Sequence, residues 1–97
     1  MTTVLTRISE IKNKEGFDIW NIKRHGRIVR VTNSGVLRAW PHRNKTKDTH
    51  TVNDFRGKFS SVNPGCTCDV MNGQGNVAHG NTLLGKVRAT YRRGRRH

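Results

Sequence analysis

Between Phe17 and Trp40 the chain carries three short runs rich in β-branched and aromatic residues, 17–23, 27–32 and 36–40, broken by Arg24-His25-Gly26 and Asn33-Ser34-Gly35. Short runs punctuated by glycine-bearing turns are a hairpin signature, because tight connections need a residue that tolerates positive φ. The pattern predicts an antiparallel β-meander over residues 17–40. In the middle run, Ile28 and Arg30 face opposite to Val29 and Val31, so one face is apolar and the other partly basic. Arg24, Arg27, Arg30 and Arg38 then lie along one sheet face or its rim. Pro41 ends the third run, since proline has no N–H to give to a ladder.

The flanking segments are less uniform. Val4, Leu5, Ile8 and Ile11 follow helical spacing, with Thr2 or Thr3 as N-cap and Gly16 as stop, which predicts a short helix, although the β-branched content also suits a strand. Thr51-Val52-Asn53-Asp54 has the form of a capping box with aspartate in the glutamate place, and a helix over residues 52–59 sets Val52, Phe55 and Phe59 on one stripe. Gly57 opposes that helix. Residues 59–85 are rich in glycine and carry Asp69 as their only formal charge. They read as a long binding loop or as two irregular strands near 66–71 and 76–79. At the C-terminal end Leu83, Val87, Ala89 and Tyr91 alternate with Lys86, Arg88, Thr90 and Arg92. A strand is expected there, although helical spacing joins Leu83, Val87 and Tyr91 as well.

These elements define a small α+β single domain over residues 1–91, with the meander, one or two short helices, the irregular segment 59–85 and a C-terminal strand. A mobile basic tail is expected over residues 92–97. A chain of 97 residues has room for one core. Its hydrophobic fraction of 32% is low against the usual ~45–50%, which also counts glycine. The core is therefore expected to be small, drawn from residues 4–40 and 83–91.

Charge narrows the function more than the fold. The net charge is +13, no acidic residue follows Asp69, and most of the nineteen basic residues are arginine. A charge of this size calls for a polyanionic partner, and arginine suits phosphate because its planar fork meets two oxygens at once. The folded patch is assigned to Arg24, Arg27, Arg30, Arg38, Arg43, Lys45 and Lys47. Lys86 and Arg88 are added as nucleic-acid contacts, and Arg92, Arg93, Arg95 and Arg96 as a mobile C-terminal clamp. Trp20 and Trp40 lie among these residues, and an exposed tryptophan would let a base stack. At least one of them is expected in the core, and Trp40, beside Pro41, is expected to be the exposed one.

Other chemistry has thinner support. His50, Cys66, Cys68 and His79 supply four zinc-ligand types, but Cys-Thr-Cys is not the usual Cys-x-x-Cys spacing, so no metal and no cofactor are expected. Gly73-Gln74-Gly75 lacks the Gly-Lys-Ser/Thr ending of a phosphate loop. His42 and His50, near Arg43, Lys45 and Asp48, have the residue types for acid–base cleavage of RNA, but such histidines more often contact phosphate or solvent. The expectation is a non-enzymatic protein that binds DNA or RNA mainly through phosphates. The alternative is a small basic modulator, of the kind viruses encode, that acts on an acidic protein surface or a nucleoprotein complex. A structural nucleoprotein component is a third possibility. No membrane-spanning or signal-like segment is read, so a cytoplasmic, nucleoid or nuclear location is expected.

Overall fold

In a computed structural model, which describes residues 2–94 and the side chains of residues 2–91, Thr3 opens the first helix. Its hydroxyl accepts from the Thr6 N–H, and α1 (Val4–Glu15) closes where the Gly16 N–H donates to the Lys12 carbonyl at 2.8 Å. Val4, Ile8, Ile11 and Glu15 occupy its buried stripe.

Strand β1 (Ile19–Arg24) turns at His25-Gly26 into the short β2 (Arg27–Ile28). Gly26 has φ 80°, as the expected hairpin requires. The rest of the run to residue 32 does not form a strand. The first-turn N–H groups of α1 explain this: Leu5 donates to the Val31 carbonyl and Val4 to the Asn33 carbonyl. Helix capping therefore takes carbonyls that a longer hairpin would need.

The third strand is not residues 36–40. Leu37 and Trp40 are buried there in the core, and β3 (Cys66–Val70) pairs instead with the free edge of β1. The sheet is antiparallel in the order β2-β1-β3. Cys66, Cys68 and Val70 alternate inward, and β3 packs on α2 (Val52–Val62). The expected capping box is present: Asp54 N–H donates to Thr51 Oγ1 at 3.3 Å, and Thr51 N–H donates to Asp54 Oδ2 at 2.9 Å. The bond from the Thr51 N–H holds the Asp54 carboxyl below its ordinary pKa.

Of the segment 59–85, residues 66–71 are extended as expected, whereas 76–79 is reduced to a bridge between Val77 and Met71. At Gly73 the reason for glycine is steric. A Cβ on Gly73 would sit 2.5 Å from the Thr90 carbonyl oxygen, so this turn lies directly on helix backbone.

The C-terminal run is helix α3 (Leu84–Gly94) and not the expected strand. Leu84, Val87, Arg88 and Tyr91 share one helical face, and a strand would send Val87 and Arg88 to opposite sides. The expected boundary of the tail at residue 92 falls inside α3, and residues 95–97 lie outside the described residues. Phe17, Phe55 and Phe59 form the fully buried centre, with Phe17 edge-on to Phe55 at 4.9 Å and Trp40 5.5 Å from Phe55. The result is a mixed α+β domain of three helices and a three-stranded antiparallel sheet. No helix among the described residues is long and apolar enough to cross a membrane.

Candidate nucleic-acid interface

The basic loop after Trp40 is anchored by one buried carboxylate. Glu15, fully buried at the end of α1, accepts from the Thr46 N–H at 2.8 Å, from Thr46 Oγ1 at 3.2 Å and from Trp40 Nε1 at 3.3 Å. Arg88 reaches it from α3, donating from Nη2 to Glu15 Oε1 at 3.1 Å and from Nε to the Glu15 carbonyl at 2.6 Å. The same guanidinium donates from Nη1 to Asp48 at 2.6 Å. Both ends of the loop are therefore tied to the core, and Lys58 of α2 joins by donating to Thr46 Oγ1 at 3.1 Å.

This anchoring shapes a cleft of about 470 Å³ whose walls include His42, Arg43, Lys45, Lys47, His50 and Lys58. No carboxylate lines it. Among the described residues, the ion pairs take up Arg7 with Glu10, Lys12 with Asp18, and Arg88 with Glu15 and Asp48. Asp54 caps α2 and Asp69 accepts from Asn21 Nδ2. All six carboxylates of the chain are thus committed internally, while Arg43, Lys45 and Lys47 are exposed without a carboxylate partner among the described residues.

The cleft does not stand alone. Lys45 also lines a second hollow of about 330 Å³ with Lys14, Glu15 and Arg88, and Tyr91 joins that hollow to a third, also about 330 Å³. The third is bordered by Lys12, Asp18, Trp20 and the turn residues Asn72, Gly73 and Gly75. Together the three hollows, each sharing one lining residue with the next, define a candidate groove. Its far end holds Trp20, which is 39% exposed. A β-bulge sets that side chain outward: the β1–β3 register shifts between Trp20 and Lys23, and Asn21 takes φ 53°. Ile19 and Ile22 are both buried, and Trp20 and Asn21 between them both face solvent.

Tyr91 secures the groove floor. Its hydroxyl donates to the Met71 carbonyl and accepts from the Asp18 N–H at 2.8 Å, and burial pushes its pKa up.

The residues expected to form one patch fall into separate groups. Arg43, Lys45 and Lys47 share the cleft, and Arg24 and Arg38 flank a different cavity. Arg27 stands directly across the hairpin from Arg24, a like-charge pair, and Arg30 and Lys86 are exposed elsewhere. Two assignments need correction. Trp40 is 2% exposed, because its indole N–H meets Glu15 and its ring packs on Phe55 and Phe59. Arg88 is 5% exposed and serves the buried network, not the surface. Arg92 and Arg93 have no described side chains, and Arg95 and Arg96 lie outside the described residues.

The zinc candidates do not converge. Cys66 and Cys68 face the core, His50 lines the cleft, and His79 Nδ1 accepts from the Asn81 N–H. Among the described residues no group of three or more His, Cys, Asp or Glu is placed to hold a metal. Burial also pushes the Cys68 thiol up to about 12, against the thiolate that zinc needs. Sequence reasoning passed over Lys14 and Lys58, which add charge to the groove, and the buried Asn63. Only Lys58 left a signal, falling beside the Val52–Phe55–Phe59 stripe of a predicted helix.

No family model matches the chain, and neither a curated protein nor a solved structure matches it.

Proposed function

We propose that this protein is a non-enzymatic nucleic-acid-binding domain that holds a single strand in the groove running from the 42–50 loop to Trp20. The observation that carries this reading is the division of charge: the six side-chain carboxylates are used within the fold, and the cleft of the 42–50 loop gathers Arg43, Lys45 and Lys47 with no carboxylate in its lining. A groove of this kind tracks a phosphate backbone, and Arg43 adds a bidentate contact that lysine cannot make. Trp20 at the far end offers a face for a base, a contact worth about 1–3 kcal/mol that duplex DNA cannot make without unstacking.

The turn beside Trp20 favours stacking over base-specific hydrogen bonding. The Gln74 and Asn76 N–H groups already donate to Asn72 Oδ1, and the Gly73 N–H donates to Thr90 Oγ1. With those donors occupied, recognition there is tolerant of sequence.

The test is a fluorescence-anisotropy titration of labelled single-stranded and duplex oligonucleotides. Single-strand affinity is expected to fall at least tenfold between about 50 and 200 mM salt. Trp20→Ala is expected to weaken the single strand by about 1–3 kcal/mol and to leave the duplex nearly unchanged. Absence of binding at the lowest salt overturns the reading.

A further inference from the structure

Two arginines that the groove does not use border another cavity. Arg24, at the end of β1, and Arg38 line a hollow of about 230 Å³ with Asn63, Pro64 and Cys66, and no carboxylate borders it. Asn63 follows α2 as its C-cap and is 3% exposed. Its Oδ1 accepts from the Arg38 N–H at 2.7 Å, which fixes the orientation of the amide because only the oxygen can accept there. Nδ2 is therefore committed as a donor, and it is a buried side-chain atom with no hydrogen-bond partner.

An orphaned buried donor is costly, and a native fold that keeps one in the wall of a cavity has a reason to. Two arginines border the same cavity, and their positive charge suits an oxyanion as the missing partner. The end of α2 opposes this with a partial charge of about −0.5, which two full positive charges outweigh. The volume admits one phosphoryl group with a few waters, at ~30 Å³ per water, and not a polymer backbone.

We infer that Arg24, Arg38 and Asn63 form a pocket for a single phosphoryl group, with the guanidinium groups neutralising it and Asn63 Nδ2 donating to one oxygen. The chemistry is that of a phosphate monoester, either a 5′-terminal phosphate or free phosphate. The pocket is separate from the groove, so the two readings stand or fall independently.

The test is NMR titration of the intact protein, observed at the Asn63 side-chain amide, with inorganic phosphate and with matched 5′-phosphorylated and 5′-hydroxyl oligonucleotides. A saturable Asn63 shift with inorganic phosphate alone identifies a free-phosphate site. A shift with the 5′-phosphorylated strand, absent with its 5′-hydroxyl twin, identifies a terminal-phosphate site. Both support the pocket, and in both Arg24→Ala with Arg38→Ala is expected to weaken the response at least tenfold. These surface changes leave the Asn63 contact to the Arg38 backbone in place. No Asn63 shift with either phosphate probe, or a shift indifferent to loss of both arginines, overturns the pocket even if oligonucleotides bind the groove.

Discussion

Arg88 and Glu15, 73 residues apart in sequence, form a buried ion pair that joins the last helix to the first, with the guanidinium also donating to the Glu15 carbonyl. The contact holds the floor of the groove, since both residues line the hollow between the basic cleft and Tyr91.

Removing one partner leaves a buried charge with weaker compensation, Glu15 keeping only its bonds from Thr46 and Trp40 and Arg88 only Asp48 and backbone. Arg88→Ala is expected to lower stability by about 3–5 kcal/mol, and Glu15→Ala by a similar amount. The double variant should cost clearly less than the sum, because the second change removes a charge that has already lost its buried partner. Urea denaturation of the three variants measures this, and simple additivity would contradict the coupling.

Two glycines should respond oppositely to alanine. Gly73→Ala drives a methyl into the Thr90 carbonyl, 2.5 Å away on helix backbone that cannot yield, at a cost of about 1–3 kcal/mol. Gly57 lies within α2 with nothing inside 4 Å of the added methyl, so Gly57→Ala should stabilise by about 0.4–1 kcal/mol. Thermal denaturation distinguishes the signs.

What could be read in the sequence follows the range of the interactions involved. The capping box at Thr51–Asp54 and the stripe Val52, Phe55, Phe59 were legible because a helix start is a contact between near neighbours. The His25-Gly26 turn was legible for the same reason. The third strand was not, because β3 reaches β1 across the loop and α2, and no local pattern ranks Cys66–Val70 above residues 36–40. Alternation misled at residues 83–91, where period 2 and period 3.6 share Leu83, Val87 and Tyr91, and the contact of Arg88 with distant Glu15 accompanies the helical answer. Trp40 was misplaced because Pro41 suggested an exposed edge, whereas the buried acceptor for its indole lies on another element. Basic character was visible in composition, but the grouping of Arg43, Lys45 and Lys47 apart from Arg24 and Arg38 is a property of the fold.

Stability should decline on the alkaline side. Burial raises the Cys68 thiol from 9.0 to about 12. The unfolded chain loses this proton near the ordinary thiol value while the folded chain keeps it, so the unfolded state binds fewer protons in between. Stability therefore falls as pH rises from about 9 towards 12 and levels off above that. Tyr91, also raised by burial, adds the same sign. Urea midpoints followed across this range should drop, with a shallower decline in Cys68→Ala. An unchanged slope in that variant would remove Cys68 as the cause.

The central claim is that the cations of the 42–50 loop meet phosphate in the groove. Its most direct measurement is the slope of log affinity against log salt for a single-stranded oligonucleotide, compared between the native chain and a variant carrying Arg43→Ala, Lys45→Ala and Lys47→Ala together. These side chains are exposed, so the variant is expected to fold. Each phosphate contact contributes about 0.7 to the slope on a single strand, so the variant should bind more weakly with a slope smaller by about 2. A folded variant that keeps the native slope and affinity would contradict the account.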